Sequence, residues 1–504
     1  MSNLRRDFIY KLLTNLFRIP VSFALQAIFP RLLGPSGYGV YDFLTDSATK
    51  IITFFETGTS IAFYTNLSQD NKNAKLVRFY WSLVLVISMI YIAFILLTGV
   101  FHIYDEIWPK QEFYFIFLGA IWGIVTYLSN TTLKMLDAFH LTVKTEKFRM
   151  IHLFISVILF ATFYFFRGKV ELSIFFYSQI FLLILLLIGT IYLLKISGYE
   201  VIPKVKLNPE EIKKYKKFFW IFSAPLLIYA LISFIAGFGD RWILQRFGGS
   251  IQQAYFGLSY KVGSFVFLVA SAIMPLLMRE FSKLFGIKDY ERLKVIYQKN
   301  IKILYFIAAF LAICVSLNAD FITMVLGGKQ YQDATSVVAL MAFYPIHQTI
   351  GQINGTFYYS TARTKEYRNV GMFIIPFGLV LSYIFIAPVS NFGLNLGAVG
   401  LAYQMLLIQL ISVNVTLWLN CKYLKIDFLP LLLFQILILT TLGLFGFSIK
   451  YTLNLFISWN FLNAGLFFVL FSCISALMIY IKPSIVGFQN RVELINLIKM
   501  QKSK

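Results

Sequence analysis

The feature that most constrains this chain is a succession of apolar stretches separated by short charged loops. Each apolar stretch is about 20 residues long, so it can cross a bilayer as a helix. We count about fourteen on that criterion. Their limits are 9–32, 40–65, 79–101, 113–136, 150–166, 173–194, 218–245, 253–280, 301–326, 333–362, 369–388, 397–420, 428–449 and 461–481. Only 13% of the residues are charged, against about 25% in soluble domains. The sequence therefore predicts an all-α polytopic membrane protein.

Lysine and arginine are concentrated in alternate loops, which indicates the orientation because cytoplasmic loops carry an excess of both. The basic loops are 72–78, 144–149, 204–217, 283–299, 363–368 and 422–425, and both ends of the chain are basic. With an even number of spans, we predict that the N- and C-termini are cytoplasmic. The same placement explains the net charge of +22 and excludes nucleic acid as a partner, because the charge is not gathered on a soluble face.

Two segments outside the spans are predicted to be helical. Residues 208–211 (Asn-Pro-Glu-Glu) are typical of a helix start, with an N-cap, a first-turn proline and acids that the helix dipole favours. The C-terminal tail indicates an amphipathic helix on the membrane surface. Its apolar stripe consists of Ile485, Phe488, Val492 and Ile495.

A short motif recurs at the start of two halves of the chain. Residues 31–38 (Arg-Leu-Leu-Gly-Pro-Ser-Gly-Tyr) link the first span to the second, and residues 246–257 link the seventh to the eighth around Gly248 and Gly249. An even number of spans separates the copies, so both face the same way, as in transporters built from parallel repeats. We therefore predict two pseudo-symmetric six-helix lobes, 1–207 and 208–425. Two peripheral helices and the amphipathic tail follow in 426–504.

Ionisable residues lie inside several spans, where each costs about 2.5–3.5 kcal/mol and normally faces a cavity or a partner. The basic ones are Arg18, Arg31, Lys50, Arg241 and Lys261, and the acidic ones are Asp42, Asp46, Glu56 and Asp240. They belong to the first, second, seventh and eighth spans, at steps of three or four that share one helix face. The tenth span adds a polar stripe with Tyr344, Gln348 and Gln352.

Two interpretations of these charges stay open. In one, they pair with each other: Asp46 and Lys50 are an i,i+4 couple, and Asp240 neutralises Arg241 or Arg31. In the other, they line a polar cleft. Arg18 favours the cleft, because its own helix contains no acid. The polar stripe of the tenth span either lines the cleft or joins helices by hydrogen bonds.

A basic cleft inside the membrane predicts an anionic substrate. Arginine binds phosphate oxygens in bidentate fashion and lysine acts as a point charge, and both interactions strengthen where the dielectric constant is low. A pyrophosphate that carries sugars is one such anion, because it cannot cross the membrane unaided while its lipid tail stays in the bilayer.

The chain resembles the Wzx-type polysaccharide flippases of the MOP exporter superfamily. The similarity lies in residues 31–41 and 240–260, which include Asp240-Arg241-Trp-Ile-Leu and Tyr255-Phe-Gly-Leu-Ser-Tyr, and in the layout of twelve core spans plus two. The resemblance implies a MATE-like fold, a central cavity and alternating access. It implies an O-antigen or capsule repeat unit, linked to undecaprenyl pyrophosphate, moved from the cytoplasmic to the outer leaflet of the bacterial inner membrane. Related lipid II flippases use basic residues in their first, second and eighth helices, which correspond here to Arg18, Lys50 and Lys261.

Two other classes of function are weighed against a flippase. A multidrug antiporter of the same superfamily uses acids for cation coupling, and Asp42, Asp46 and Glu56 keep that alternative open although the first span lacks an acid. A membrane-bound polymerase or ligase is disfavoured, because the outer loops are short and hold no nucleophile, base and orienter.

We expect no cofactor, metal or disulfide, since the three cysteines are far apart and show no ligand spacing. The expected partners are the lipid-linked oligosaccharide, membrane lipids, H⁺ or Na⁺ as a coupling ion, and other membrane proteins of polysaccharide assembly.

Overall fold

The computed structural model describes residues 2–70 and 72–488, apart from the side chains of residues 2–20, 265–266 and 268–272. That part of the chain contains sixteen α-helices, three short 3₁₀ segments and no β-strand. The α-helices are α1 (Ser2–Glu56), α2 (Thr59–Gln69), α3 (Ala74–Val100), α4 (Tyr104–Ile107), α5 (Phe113–Ala138), α6 (Thr142–Arg167), α7 (Leu172–Ile196), α8 (Pro209–Gly286), α9 (Tyr290–Leu317), α10 (Ala319–Gly327), α11 (Thr335–Met341), α12 (Tyr344–Ser360), α13 (Thr364–Ile386), α14 (Gly397–Leu424), α15 (Phe428–Phe456) and α16 (Asn460–Ile481). The 3₁₀ segments are Lys329–Ala334, Val389–Asn391 and Pro483–Val486.

The predicted fold class, an all-α polytopic membrane protein, is confirmed. Ten of the described helices are long and apolar enough to cross a membrane. The two longest, α1 and α8, are each bent at one glycine, and each supplies two of the predicted spans. When α1 and α8 are each counted as two spans divided at the glycine, and α12 is counted as well, the number of membrane-spanning helices agrees with the predicted fourteen. The predicted helix start at Pro209 is also confirmed, since α8 begins at that residue with Glu210 and Glu211 in its first turn.

The two bends have nearly the same backbone geometry. Gly34 in α1 has φ 68° and ψ 174°, and Gly249 in α8 has φ 73° and ψ −173°. This combination is open only to glycine at low cost. The repeated motif therefore carries a glycine in each copy because the chain turns there in the same way.

Two of the predicted spans are interrupted rather than continuous. The span predicted at 40–65 breaks between α1 and α2, where Gly58 adopts a left-handed φ of 76°. The span predicted at 333–362 is divided into α11 and α12, and Pro345 lies in the first turn of α12. A proline has no N–H to donate within a helix, so it favours a helix start at that point.

The structure divides into two compact units, Met1–Ala254 and Tyr255–Lys504. In the first unit, small residues on α5 allow a close approach to α1. A Cβ on Gly119 would lie 3.1 Å from the Cβ of Leu44, and one on Gly123 would lie 2.8 Å from the Cβ of Ala48. Glycine is typical of such helix contacts in membranes, where the gain comes from van der Waals packing. The bend in α1 is supported as well, since the N–H of Val170 donates to the carbonyl of Leu32 at 3.0 Å.

In the second unit, buried polar side chains join the helices. Tyr297 on α9 donates to Asn354 on α12 at 2.7 Å, and Asn354 donates to Thr416 on α14 at 2.9 Å. Lys450 on α15 donates to the side-chain oxygens of Asn318 at 2.9 Å and Asn463 at 3.0 Å. The predicted span 428–449 ends just before Lys450, but α15 extends to Phe456, so Lys450 lies within the helix and fastens α15 and α16 to the end of α9.

The predicted lobes, 1–207, 208–425 and 426–504, follow sequence symmetry and stay a prediction. The compact units follow packing, which groups the first part of α8 with α1–α7. Of the predicted amphipathic tail, Ile485 and Phe488 are described. The residues 489–504, with Val492 and Ile495, lie outside the described part of the chain.

Candidate functional site

A cluster of four charged side chains lies in the first unit between α1 and α8. Asp42, Asp46 and Lys50 occupy successive turns of α1 beyond its bend, so they share one face of the helix. Arg241 faces them from α8, in the part before Gly249. Counted from residue 40, where the second span is predicted to begin, Lys50 lies about 15 Å along the helix axis. That distance corresponds to the middle of a hydrocarbon core about 30 Å thick.

The buried end of this cluster is an ion pair. The Arg241 guanidinium donates to the carboxylate of Asp42, and its Nε lies 3.4 Å from Oδ2 of Asp46. The exposed fraction of the side chain is 8% for Arg241 and 11% for Asp42. The backbone carbonyl of Arg241 accepts a hydrogen bond of 2.5 Å from the buried amide of Gln253. An ion pair so removed from water is held by mutual attraction and hydrogen bonds, and losing one partner is strongly destabilising.

The accessible end of the cluster is the Lys50–Asp46 pair. The Lys50 ammonium donates to Asp46 at 2.6 Å and to the backbone carbonyl of Gly237 at 2.6 Å. The exposed fractions are 28% for Lys50 and 34% for Asp46. Gly237 leaves room for the lysine, since a Cβ there would lie 3.5 Å from Cε of Lys50. Lys50 is thus a cation at predicted bilayer depth that molecules outside the helix pair can reach.

The cluster is electrically balanced in this state, with two carboxylates facing two cations. The two carboxylates differ, because Asp42 is nearly enclosed whereas Asp46 is about one-third exposed. Lys50 can therefore exchange Asp46 for another anion without disturbing the Arg241–Asp42 pair. This exchange is the chemistry that the arrangement allows.

Arg31 lies on the first part of α1, before the bend at Gly34. Arg31 donates to the hydroxyl of Tyr164 at 3.1 Å, and its guanidinium carbon lies 6.0 Å from the centre of that ring. Asp240, next to Arg241 in the chain, is half-buried. In the structure Arg241 pairs with Asp42 on α1. The sequence interpretation, which considered Asp240 as the partner of Arg241, did not predict this pair. Arg18 lies within α1, and its side chain is outside the described part.

A second ion pair involves a lysine that our sequence interpretation did not identify. Lys134 on α5 donates to Glu56 at 2.7 Å and to the hydroxyl of Ser60. These two partners lie on either side of the break at Gly58, so the lysine joins the end of α1 to the start of α2. The signal was present, because Lys134 lies inside the predicted span 113–136.

The predicted site residues of the second unit lie on α8 and α12. Lys261 is half-exposed on the second part of α8. The ring of Tyr344 lies 5.8 Å from that of Tyr260, and Gln348 accepts from the side chain of Gln409. The buried side-chain oxygen of Gln352 has no hydrogen-bond partner in the described part of the chain.

No set of three or more His, Cys, Asp or Glu side chains in residues 2–70 and 72–488 is arranged to hold a metal ion, with the side chains of 2–20 not considered. The charged cluster offers the accessible ammonium of Lys50, which suits an anion of the phosphate type.

The comparisons with solved structures define the class of fold. The lipid II flippase MurJ, in an inward closed conformation, matches with a TM-score of 0.68 at 16% identity, over 94% of this chain and 99% of that chain. An inward-facing multidrug resistance transporter of the MATE family matches with a TM-score of 0.63 at 14% identity, over 80% of this chain and 95% of that chain. Both similarities are at the level of the fold.

A MOP superfamily transporter from Pyrococcus furiosus matches with a TM-score of 0.50 at 14% identity, over 84% of this chain and 94% of that one. The structural neighbours are thus transporters of the MOP superfamily, and this chain is a multi-pass membrane protein with their fold. No protein-family model matches the sequence, and no curated protein matches it.

Proposed function

We propose that this protein is a flippase that moves an oligosaccharide linked to undecaprenyl pyrophosphate from the cytoplasmic to the outer leaflet of a bacterial inner membrane by alternating access. The substrate would be an O-antigen or capsule repeat unit. The observation that carries the proposal is Lys50, an accessible ammonium at predicted bilayer depth that is shared between Asp46 and a backbone carbonyl.

In the proposed mechanism, the pyrophosphate replaces Asp46 as the partner of Lys50. A pyrophosphate with two substituents carries two negative charges, so it attracts the ammonium more strongly than one carboxylate does. The Gly237 carbonyl keeps the lysine aimed at the same place during the exchange. Arg241 stays paired with Asp42, which holds α1 and α8 together while the anion is bound.

The remaining predicted contacts are part of the same proposal. Arg18 and Arg31, on the first part of α1, are proposed as further contacts to the pyrophosphate or the sugars. Lys261 is proposed as a substrate contact on the strength of the resemblance, and Tyr344, Gln348 and Gln352 as polar contacts for sugars. We propose H⁺ or Na⁺ as a coupling ion, with Asp46 and Glu56 as the candidate carboxylates.

Two features support a lipid-linked substrate. The similarity to the MurJ flippase extends over 94% of this chain, whereas the similarity to the MATE transporter extends over 80%. In addition, two of the four basic residues proposed as substrate contacts are arginines, which suit phosphate groups better than they suit the cationic drugs of an antiporter.

A multidrug exporter is the second candidate, and the accessible Asp46 favours it, since such a carboxylate can bind a coupling cation or a cationic drug. A strain lacking this gene separates the two functions. We expect lipid-linked oligosaccharide to accumulate in the inner leaflet, with unchanged sensitivity to cationic drugs. Drug sensitivity together with a normal distribution of the lipid-linked oligosaccharide would favour the exporter instead.

A further inference from the structure

A cavity of about 630 Å³ in the second unit is lined by lysines and apolar side chains. Its walls come from α9, from the connection between α14 and α15, from the first turns of α15, and from the segment that follows α16. None of these residues belongs to the proposed transport site. We call this cavity the basic groove.

The charge of the basic groove is positive. Lys294, Lys302, Lys425 and Lys482 line it together with two acids, Glu291 and Asp427. Glu291 is engaged by Lys294 at 2.7 Å. In the described part of the chain, the side chains of Lys302, Lys425 and Lys482 form no salt bridge. Four lysines against two acids leave the groove with a net charge of +2, which attracts an anion.

The floor of the groove is apolar and continues onto the outside of α15. Leu431 and Ile438 are buried beneath it, and Phe434 lies between them with Lys302 at 5.8 Å from the centre of its ring. Leu437 is 58% exposed, and its neighbours Leu433 and Ile436 are exposed to a similar extent. On a membrane protein such a surface faces lipid, so a hydrocarbon chain can pass from the bilayer along α15 into the groove.

The lysines lie at the level of lipid head groups. α9 begins at Tyr290, α15 begins at Phe428 and α16 ends at Ile481, so the three helices present the same membrane face to the groove. By the distribution of loop charges, this face is predicted to be cytoplasmic. Basic residues at that level attract the anionic lipids of the leaflet, and each contributes about fivefold to binding.

One backbone detail indicates that Lys425 is held in position. Lys425 has φ 54° and ψ 50°, a left-handed conformation at the end of α14 that glycine adopts more easily. Its N–H donates to the carbonyl of Lys422 at 3.3 Å, which fixes the turn that leads into α15. The conformation places this lysine on the rim of the groove.

We infer that the basic groove binds an anionic phospholipid of the surrounding bilayer. The phosphate would contact Lys302, Lys425 and Lys482, and one acyl chain would lie over Phe434 and along Leu437. A lipid bound there joins α9 to α15 and α16, and it stabilises the folded state because it binds that state alone. A zwitterionic lipid would bind more weakly, since its head group has no net charge to offset the lysines.

The test uses the full-length protein purified in a neutral detergent and native mass spectrometry with added phosphatidylglycerol, phosphatidylcholine or inorganic phosphate. We compare the wild type with a variant carrying Lys302→Gln, Lys425→Gln and Lys482→Gln. The matched control carries Lys204→Gln, Lys206→Gln and Lys213→Gln, three exposed lysines of the connection before α8 and its first turn. We expect phosphatidylglycerol binding to fall at least about tenfold in the groove variant and to change less than about twofold in the control.

A gain-of-binding variant covers the case in which the groove variant folds poorly. Glu291→Gln with Asp427→Asn removes the two acids of the groove, and we expect it to bind phosphatidylglycerol more tightly than the wild type, by about fivefold per charge at most. Equal loss in the groove variant and its control, or no gain in the acid variant, would overturn the inference. So would phosphatidylcholine or inorganic phosphate binding as tightly as phosphatidylglycerol.

Discussion

The side chains of Lys50 and Arg241 contact the same carboxylate oxygen, Oδ2 of Asp46, at 2.6 and 3.4 Å. They come from helices that are far apart in the chain, and each has a second partner of its own. Lys50 has the Gly237 carbonyl, and Arg241 has Asp42. Of the two acids of the cluster, Asp46 is the more exposed and contacts both cations, which makes it the residue that we propose a bound anion replaces.

The Asp42–Arg241 ion pair is expected to stabilise the first unit. The contribution of each side chain to the free energy of unfolding should depend on the presence of the other. Asp42→Asn should lower the free energy of unfolding by about 3 kcal/mol, near the lower end for a broken buried pair, because Arg241 keeps Asp46. Arg241→Gln should do the same, and the double variant should lose less than the sum by at least about 1 kcal/mol. Thermal unfolding of the four purified proteins in one detergent measures this coupling. Additive losses would show that the two side chains do not depend on each other.

The bends at Gly34 and Gly249 should resist substitution. An alanine at either position must adopt a backbone conformation that costs about 1–3 kcal/mol, so Gly34→Ala and Gly249→Ala should each lower the unfolding midpoint. Gly443→Ala is the matched control, because Gly443 lies in α15 and a Cβ added there would meet no heavy atom within 4 Å. There the change should be neutral or raise stability by up to about 1 kcal/mol. If all three variants unfold at the same temperature, the bends carry no strain for alanine.

Gly39, one residue after the repeated motif, is expected to be less replaceable than Gly37 within it. A Cβ at this position would lie 1.7 Å from the backbone oxygen of Ser250, so the residues just before the second and eighth predicted spans touch there. Gly39→Ala should reduce the yield of folded protein severely, because a backbone atom cannot move aside as a side chain can. In Gly37→Ala, the nearest atom is the Cβ of Leu33 at 3.4 Å. Size-exclusion profiles should separate the two variants, and identical profiles would refute this contact.

The fold could be predicted from the sequence because its main signal is local. An apolar stretch of sufficient length forms a helix wherever it occurs in a bilayer, and the repeated glycines at 34 and 249 marked the two bends. The break at Gly58 was missed, since an isolated glycine is common in membrane helices and only its left-handed φ shows the interruption.

The charged cluster was only partly accessible to sequence reasoning. Spacing along α1 indicated that Asp46 and Lys50 are neighbours, because both lie on one helix. The pairing of Arg241 with Asp42 depends on how α8 packs against α1, and no local pattern records a contact across 199 residues. For the same reason Lys134 was not matched with Glu56, which lies 78 residues before it.

Arg18 and Lys261 are tested by export of surface glycan. Arg18→Ala should abolish display of the glycan at the cell surface, because the predicted span 9–32 contains no acid to pair with Arg18 and its charge is proposed to bind the anionic substrate. Lys261→Ala should weaken display without abolishing it. Equal amounts of both variants in the membrane fraction, measured by an epitope tag, control for insertion. Near-normal display from Arg18→Ala would remove that residue from the site.

The most direct test of the account is the rate at which the purified protein, reconstituted in liposomes, moves a fluorescent oligosaccharide linked to undecaprenyl pyrophosphate. The wild type is compared with Lys50→Gln and with Lys75→Gln, a lysine at the start of α3 that pairs with Glu211. Loss of charge-assisted hydrogen bonds worth about 1.5–3 kcal/mol predicts a rate at least about tenfold lower for Lys50→Gln. Lys75→Gln should stay within about twofold of the wild type, since exposed pairs contribute little. A wild-type rate from Lys50→Gln would contradict the account.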